Sequence, residues 1–178
     1  MRTLVTGGIR SGKSARAEQL LAHLPATYLA TGPVTEDDPA WTERVRHHRE
    51  RRPSTWTTVE STDVPAVLAD ATGPVLLDEL GTWVSHHLGE VGAWGDEAGT
   101  TWRAAWTDRV DALLTAVAGF DHELVVVSGE VGFSLVSEYA SGRLFADELG
   151  RLNQAVAARC HRVELVVAGC PLTVKDTR

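Results

Sequence analysis

The sequence predicts an α/β fold with a mostly parallel central sheet covered by helices on both faces. Three observations predict it. Uninterrupted apolar runs rich in β-branched residues recur along the chain, as strands buried on both faces do. Stretches with apolar residues at helical spacing separate those runs. The first run opens into a glycine-rich turn that leads straight into a helix pattern.

The elements follow in order. Thr3-Leu4-Val5-Thr6 is the first strand and residues 15–21 are good helix formers. Residues 27–31 read as the second strand, 39–51 as a charged helix, 56–60 as the third strand and 64–70 as a short helix. Pro74-Val75-Leu76-Leu77-Asp78 is a continuous apolar run that ends in a carboxylate. A helix over 80–88 and a glycine-rich loop over 89–99 come next. Residues 100–118 have helical periodicity through Trp102, Trp106, Val110, Leu113, Leu114 and Val117. Residues 123–128 are a buried strand, 141–158 a long helix and 163–168 the last strand.

The glycine turn is Gly7-Gly8-Ile9-Arg10-Ser11-Gly12-Lys13-Ser14, which fits the phosphate-loop pattern G-x-x-x-x-G-K-[ST]. Strand before and helix after are the context this motif requires. Backbone N–H groups of the loop and helix start converge on an anion. Lys13 supplies a point charge toward the β- and γ-phosphates, and Ser14 a hydroxyl ligand for Mg²⁺. A nucleoside triphosphate, ATP or GTP, is the expected ligand. The fold class sharpens accordingly to a RecA-like P-loop NTPase, a three-layer sandwich. With no repeat and no linker in the sequence, residues 1–178 are expected to form one catalytic domain.

P-loop enzymes use an Asp at the end of a core strand to support Mg²⁺. Asp78 fits that role by placement, and its neighbour Glu79 is an alternative. Glu130, after the strand that ends at Ser128, ranks below both. Residues 44–52 hold five arginines together with His47 and His48. One reading is a solvated helix face. The other is a basic arm over the triphosphate, since guanidinium forks match phosphate oxygens and a neutral imidazole has the lone pair to attack phosphorus. His86 and His87 lie outside any arginine cluster and read as surface or packing. No role is assigned to His23, His122 or His161.

Lys plus Arg number 17 against 24 for Asp plus Glu, a net charge of −7, which opposes general nucleic-acid binding. No apolar run approaches the ~20 residues of a membrane span, so no membrane partner is expected. Met1-Arg2 leads directly into a strand without a signal-peptide pattern, and Cys160 and Cys170 read as reduced, packed thiols. A cytoplasmic protein is expected. Core packing is the expected use of the six tryptophans.

These residues resemble a known family nearly from end to end: the bifunctional adenosylcobinamide kinase/adenosylcobinamide-phosphate guanylyltransferases of cobalamin (vitamin B12) biosynthesis. The resemblance is carried by residues 4–14, Tyr28-Leu29-Ala30-Thr31, and Arg44-Val45-Arg46-His47-His48-Arg49 with Arg52-Pro53 and Trp56. It continues through Glu130-Val131-Gly132, Gly150-Arg151-Leu152-Asn153-Gln154 and Ala168-Gly169-Cys170-Pro171-Leu172. It implies phosphorylation of adenosylcobinamide by ATP or GTP, then transfer of GMP from GTP through a histidine to that phosphate, giving adenosylcobinamide-GDP. It assigns the covalent histidine to His48. It assigns nucleotide contacts to Gly7 through Ser14, to Thr31, Gly32 and Pro33, to Arg49, Glu50, Arg51 and Arg52, and to Glu60 and Asp78. It also implies a homotrimer. The chain departs from the family pattern after Gly132, where Phe133-Ser134-Leu135-Val136-Ser137 replaces Gly-Ile-Val-Pro. Two alternatives stand beside this reading: a small-molecule kinase on the same fold without a covalent histidine, and a RecA-like ATPase.

Overall fold

Strands β1 (Arg2–Gly7), β2 (Thr27–Ala30), β3 (Thr57–Glu60), β4 (Val75–Asp78), β5 (Leu124–Gly129), β6 (Arg162–Val167) and β7 (Cys170–Asp176) form one sheet in the order β3-β2-β4-β5-β1-β6-β7. Helices α1 (Lys13–Leu21), α2 (Val64–Asp70), α3 (Leu80–Glu90), α4 (Trp102–Gly119) and α5 (Ala140–Arg159) lie between them in the chain. The structure is a computed structural model and describes residues 1–32, 52–95 and 99–177. The expected helix over 39–51, with Pro33, His47, His48, Arg49, Glu50 and Arg51, lies outside the described residues.

β1 through β6 pair in parallel. Side chains alternate across β1, β2, β4, β5 and β6, so these strands feed two cores. Leu4, Leu77, Val126 and Val163 pack with residues of α2, α3, α4 and α5. Val5, Leu76, Val125, Val127 and Val166 pack with Ala17 and Leu21 of α1. Burial on both faces is why these strands read as unbroken apolar runs. Trp83, Trp102 and Trp106 fill the first core and Trp56 the second, while Trp94 is exposed and Trp41 lies outside the described residues. Local signals set the ends: α2 starts at Asp63, whose side chain accepts from the Ala66 N–H at 3.1 Å, with a proline in the first turn. No helix among the described residues is long and apolar enough to cross a membrane.

The strand at 163–168 is not the last. The chain turns through Ala168 (φ 50°) and Gly169 (φ 80°) and returns as β7, antiparallel to β6. Two residues with positive φ between two strands make a hairpin whose twist matches the sheet. β7 is an edge strand, which is why Pro171 is tolerated within it. The reading of both cysteines as packed thiols is corrected with it. Cys160 is buried, which pushes its thiol up to about 11, but Cys170 is exposed on β7.

One ionic contact ties α1 to the sheet. Glu164, fully buried on β6, accepts from Arg16 Nε at 2.8 Å and Nη2 at 3.0 Å. Arg162 Nη2 stands 2.7 Å away on the same carboxylate. The hydrogen bonds from Arg16 hold Glu164 below the usual carboxylate range. Such a group contributes stability above its unfolded value and loses it as pH falls through the folded one. Glu164→Gln leaves two guanidinium groups facing a neutral amide and is expected to cost about 3 kcal/mol near neutral pH. Urea denaturation checks it: the gap from the parent should narrow as pH drops below about 4, where the unfolded parent takes up a proton at this carboxylate, and close once pH passes the lower folded value.

Candidate active site

The parallel register brings the strand ends level. Gly7 lies opposite Gly129, Asp78 opposite both Val127 and Ala30, and Ala30 opposite Glu60. The carboxyl edge of an open α/β sheet is where ligands gather. Here it collects the glycine loop, Thr31, Asp78, Glu79, Glu60 and Glu130.

The loop is shaped by backbone contacts. Ser11 N donates to Gly8 O at 3.2 Å, and Arg16 N donates to Gly12 O at 2.9 Å. Gly12 has φ 95°, a conformation that side chains disfavour. Two neighbours brace the loop. Glu130 N donates to Gly7 O at 3.0 Å, and Gly169 N in the β6–β7 turn donates to Ser11 O at 2.8 Å. The fit leaves no room at Gly7, where an added Cβ would come within 2.6 Å of the Val166 carbonyl oxygen. α1 has no acidic residue in its first turn and no side-chain cap. Its N-terminal field and first N–H groups are therefore directed at an incoming anion. Lys13 and Ser14, at the head of that helix, are both buried.

Two adjacent carboxylates stand at the end of β4 and take different partners. Glu79 Oε2 lies 3.3 Å from Lys13 Nζ. Asp78 Oδ2 accepts a hydrogen bond from the Tyr28 hydroxyl. Burial, and then the charge of Asp78, raise the Tyr28 pKa, so this hydroxyl stays protonated and keeps donating. Thr31 is fully buried, and its hydroxyl donates to Glu79 O at 2.6 Å and meets the Thr82 hydroxyl at 2.8 Å. Its role is to fix the turn after β4. The Arg52 guanidinium lies 3.2 Å from the centroid of the Tyr28 ring and donates to Thr58 Oγ1 at 3.0 Å. Its Nε is buried with no hydrogen-bond partner among the described residues. Glu60 is exposed at the end of β3. Glu130 turns its Oε1 back on the Gly132 N–H at 2.8 Å, capping its own loop.

Residues 3–174 match the family profile described as cobinamide kinase / cobinamide phosphate guanyltransferase. The chain belongs to this family. Among curated relatives it is similar to the bifunctional adenosylcobalamin biosynthesis protein CobU of Salmonella typhimurium strain LT2, 36% identical over 184 residues, covering 98% of this chain and 100% of the relative. The counterpart named CobP from Pseudomonas aeruginosa is 34% identical over 185 residues, with 98% of each chain covered. The structure of an ATPase from a bacterial type III secretion system superposes with a TM-score of 0.51 at 10% identity, over 97% of this chain and 56% of that one. That likeness is one of fold, and it agrees with the expected P-loop sandwich. The chain is an enzyme of a kinase and guanylyltransferase family.

In this family member the structure brings together Gly7 through Ser14, Thr31, Asp78 and Glu79 at one edge of the sheet, with Arg52 over Tyr28 beside them. Glu60 is two strands out from Asp78. Three contributors appear in the sequence only within the motifs that carry the resemblance, with no role assigned. Tyr28 carries its polar tip inside an apolar strand, a signal that it needs a partner. Asn153, in the Gly-Arg-Leu-Asn-Gln helix, accepts from Ser128 Oγ at 2.6 Å and donates to Gly129 O at 3.0 Å, clamping the end of β5. Gly169 acts only through the fold. The reading of His86 and His87 as packing or surface agrees with the structure. His87 stacks edge-on against Trp83 at 4.5 Å and reaches Thr62 O at 3.2 Å, while Arg109 occupies Glu90 beside it. The stretch that departs from the family pattern exposes Phe133, Leu135 and Val136.

Lys13→Ala removes the one ammonium at the loop. We expect triphosphate binding to weaken about thirtyfold, the worth of roughly 2 kcal/mol of charge-assisted hydrogen bonding. Isothermal titration with GTP and Mg²⁺ measures it, and unchanged affinity would remove Lys13 from the site.

Proposed function

We propose that this chain, acting as one catalytic domain, phosphorylates adenosylcobinamide with ATP or GTP. It then carries GMP from GTP through His48 to the new phosphate, giving adenosylcobinamide-GDP. The observation that carries the reading is the buried Lys13 at the head of an uncapped helix, facing Glu79. That arrangement serves transfer to and from a triphosphate. Membership in a family described by both transfers supports the pair of reactions.

The donor set suits a hard divalent cation, because the Ser14 hydroxyl and the Asp78 carboxylate are both oxygen ligands. Mg²⁺ held there offsets phosphate charge when bound. Tyr28 fixes the orientation of Asp78 by donating to one of its oxygens. The loop N–H groups and Lys13 hold the phosphates. The family resemblance assigns further nucleotide contacts to Thr31, Gly32, Pro33, Arg49, Glu50, Arg51, Arg52 and Glu60.

In the second reaction a neutral ring nitrogen of His48 attacks the α-phosphorus of GTP. The bond to pyrophosphate breaks, and the leaving group carries the electron pair. A phosphate oxygen of adenosylcobinamide phosphate then attacks the same phosphorus, and the imidazole leaves. Arg52 supports His48 in this role. It is anchored over Tyr28, beside Asp78, and the four-residue step back to His48 spans at most about 14 Å. A homotrimer completes the reading, and light scattering of the purified protein reports it.

Incubation with α-labelled GTP tests the covalent step. The label should be acid-labile and alkali-stable, persist in His47→Ala and vanish in His48→Ala. No label at all returns the chain to the plain-kinase alternative, label that survives His48→Ala removes His48 from the covalent role, and polymer-stimulated hydrolysis with no corrinoid product points to the RecA-like ATPase. Asp78→Ala is expected to lower Mg²⁺-dependent turnover about 100-fold, with thermal unfolding little changed. Turnover equal to the parent would assign the metal to another carboxylate.

A further inference from the structure

We propose that Glu79 is the general base of the phosphoryl-transfer step, taking the proton from the acceptor hydroxyl as it attacks. This rests on the kinase reading above and names a catalytic residue for it. Asp78 and Glu79 are adjacent in sequence but differ in surroundings. Asp78 is engaged by the Tyr28 hydroxyl. Glu79 is the N-cap residue of α3, yet its side chain does not cap that helix. It reaches instead to Lys13 Nζ, 3.3 Å away. A lysine at this motif position points to the β- and γ-phosphates. The carboxylate therefore stands beside the place where the γ-phosphorus is attacked.

The surroundings keep that place clear. Glu79 Oε1 passes between two glycines: a Cβ built on Gly81 would be 3.0 Å from it, and one on Gly129 3.9 Å. The backbone beneath is fixed, since Glu79 O accepts from Thr31 Oγ1 at 2.6 Å and Thr82 Oγ1 at 2.9 Å. The side chain is 23% exposed where Lys13 is 6%, so an acceptor from solvent meets the carboxylate while the ammonium stays covered. Triphosphate entry draws Lys13 to the phosphates and frees Glu79 for the hydroxyl. In the transfer the acceptor O–H proton passes to Glu79 and the oxygen bonds to the γ-phosphorus. The bond from that phosphorus to the β,γ-bridging oxygen breaks, with its electron pair leaving on the nucleoside diphosphate.

The test compares the full-length parent with Glu79→Gln and Glu79→Asp. ATP affinity is measured with Mg²⁺, then phosphorylation of adenosylcobinamide, then GMP transfer to adenosylcobinamide phosphate supplied ready-made. Glu79→Gln should bind ATP as tightly as the parent or tighter, because a competitor for Lys13 has lost its charge. Its phosphorylation rate should fall about 100-fold or more, the range of a lost general base. GMP transfer should persist, and Glu79→Asp should recover part of the kinase rate. A Glu79→Gln enzyme that phosphorylates at the parent rate overturns the proposal. So does an equal loss in both transfers, or lost ATP binding, either of which makes Glu79 a support for the loop. A parent that never phosphorylates the corrinoid overturns the kinase reading itself, a result distinct from these.

Discussion

The Gly169 N–H bond to the Ser11 carbonyl, with the Glu130 N–H bond to Gly7 beside it, is the contact on which the site depends. A phosphate loop works by aiming backbone donors inward, so its carbonyls must be satisfied from outside. Two strand ends supply that outside surface. β5 presents Glu130, and the β6–β7 turn presents Gly169. The glycine at position 7 is demanded by the same closeness, since Val166 O occupies the space of any side chain there. Arg16, one turn into α1, adds the ionic tie to Glu164 on β6. Loop, helix and hairpin are thus tied directly to one another.

Around that unit the charges are arranged with economy. The Lys13 ammonium faces Glu79 and the Tyr28 hydroxyl faces Asp78, so each of two adjacent carboxylates has a different partner. Tyr28 is held protonated by burial and by the acid it serves, so its donation does not vary over the working range of pH. Arg52 stacks on the other side of the same ring. A single buried aromatic therefore links a strand-end acid to the chain that carries the arginines and histidines.

Much of this was legible in the sequence. Val75-Leu76-Leu77-Asp78 read as a buried strand because both faces are covered, and the glycine pattern with its flanks located the nucleotide end of the sheet. β7 escaped because Ala168-Gly169 is a two-residue turn of positive φ in which only one residue is glycine. The choice between Asp78 and Glu79 could not be made from adjacency. It depends on which way each side chain leaves the strand, and Tyr28, 50 positions away, decides one of them. Asn153 is legible only as part of the motif over residues 150–154, with no role attached. Its value comes from crossing to Ser128 and Gly129, which periodicity does not encode.

The hairpin brace also makes the loop a long-range structure. A motif written in a few consecutive residues takes its shape from a turn far along the chain, whose Gly169 N–H meets the Ser11 carbonyl. Non-local pairings of this kind must first meet the entropy of closing a long stretch of chain, so the loop cannot be shaped by its own residues alone.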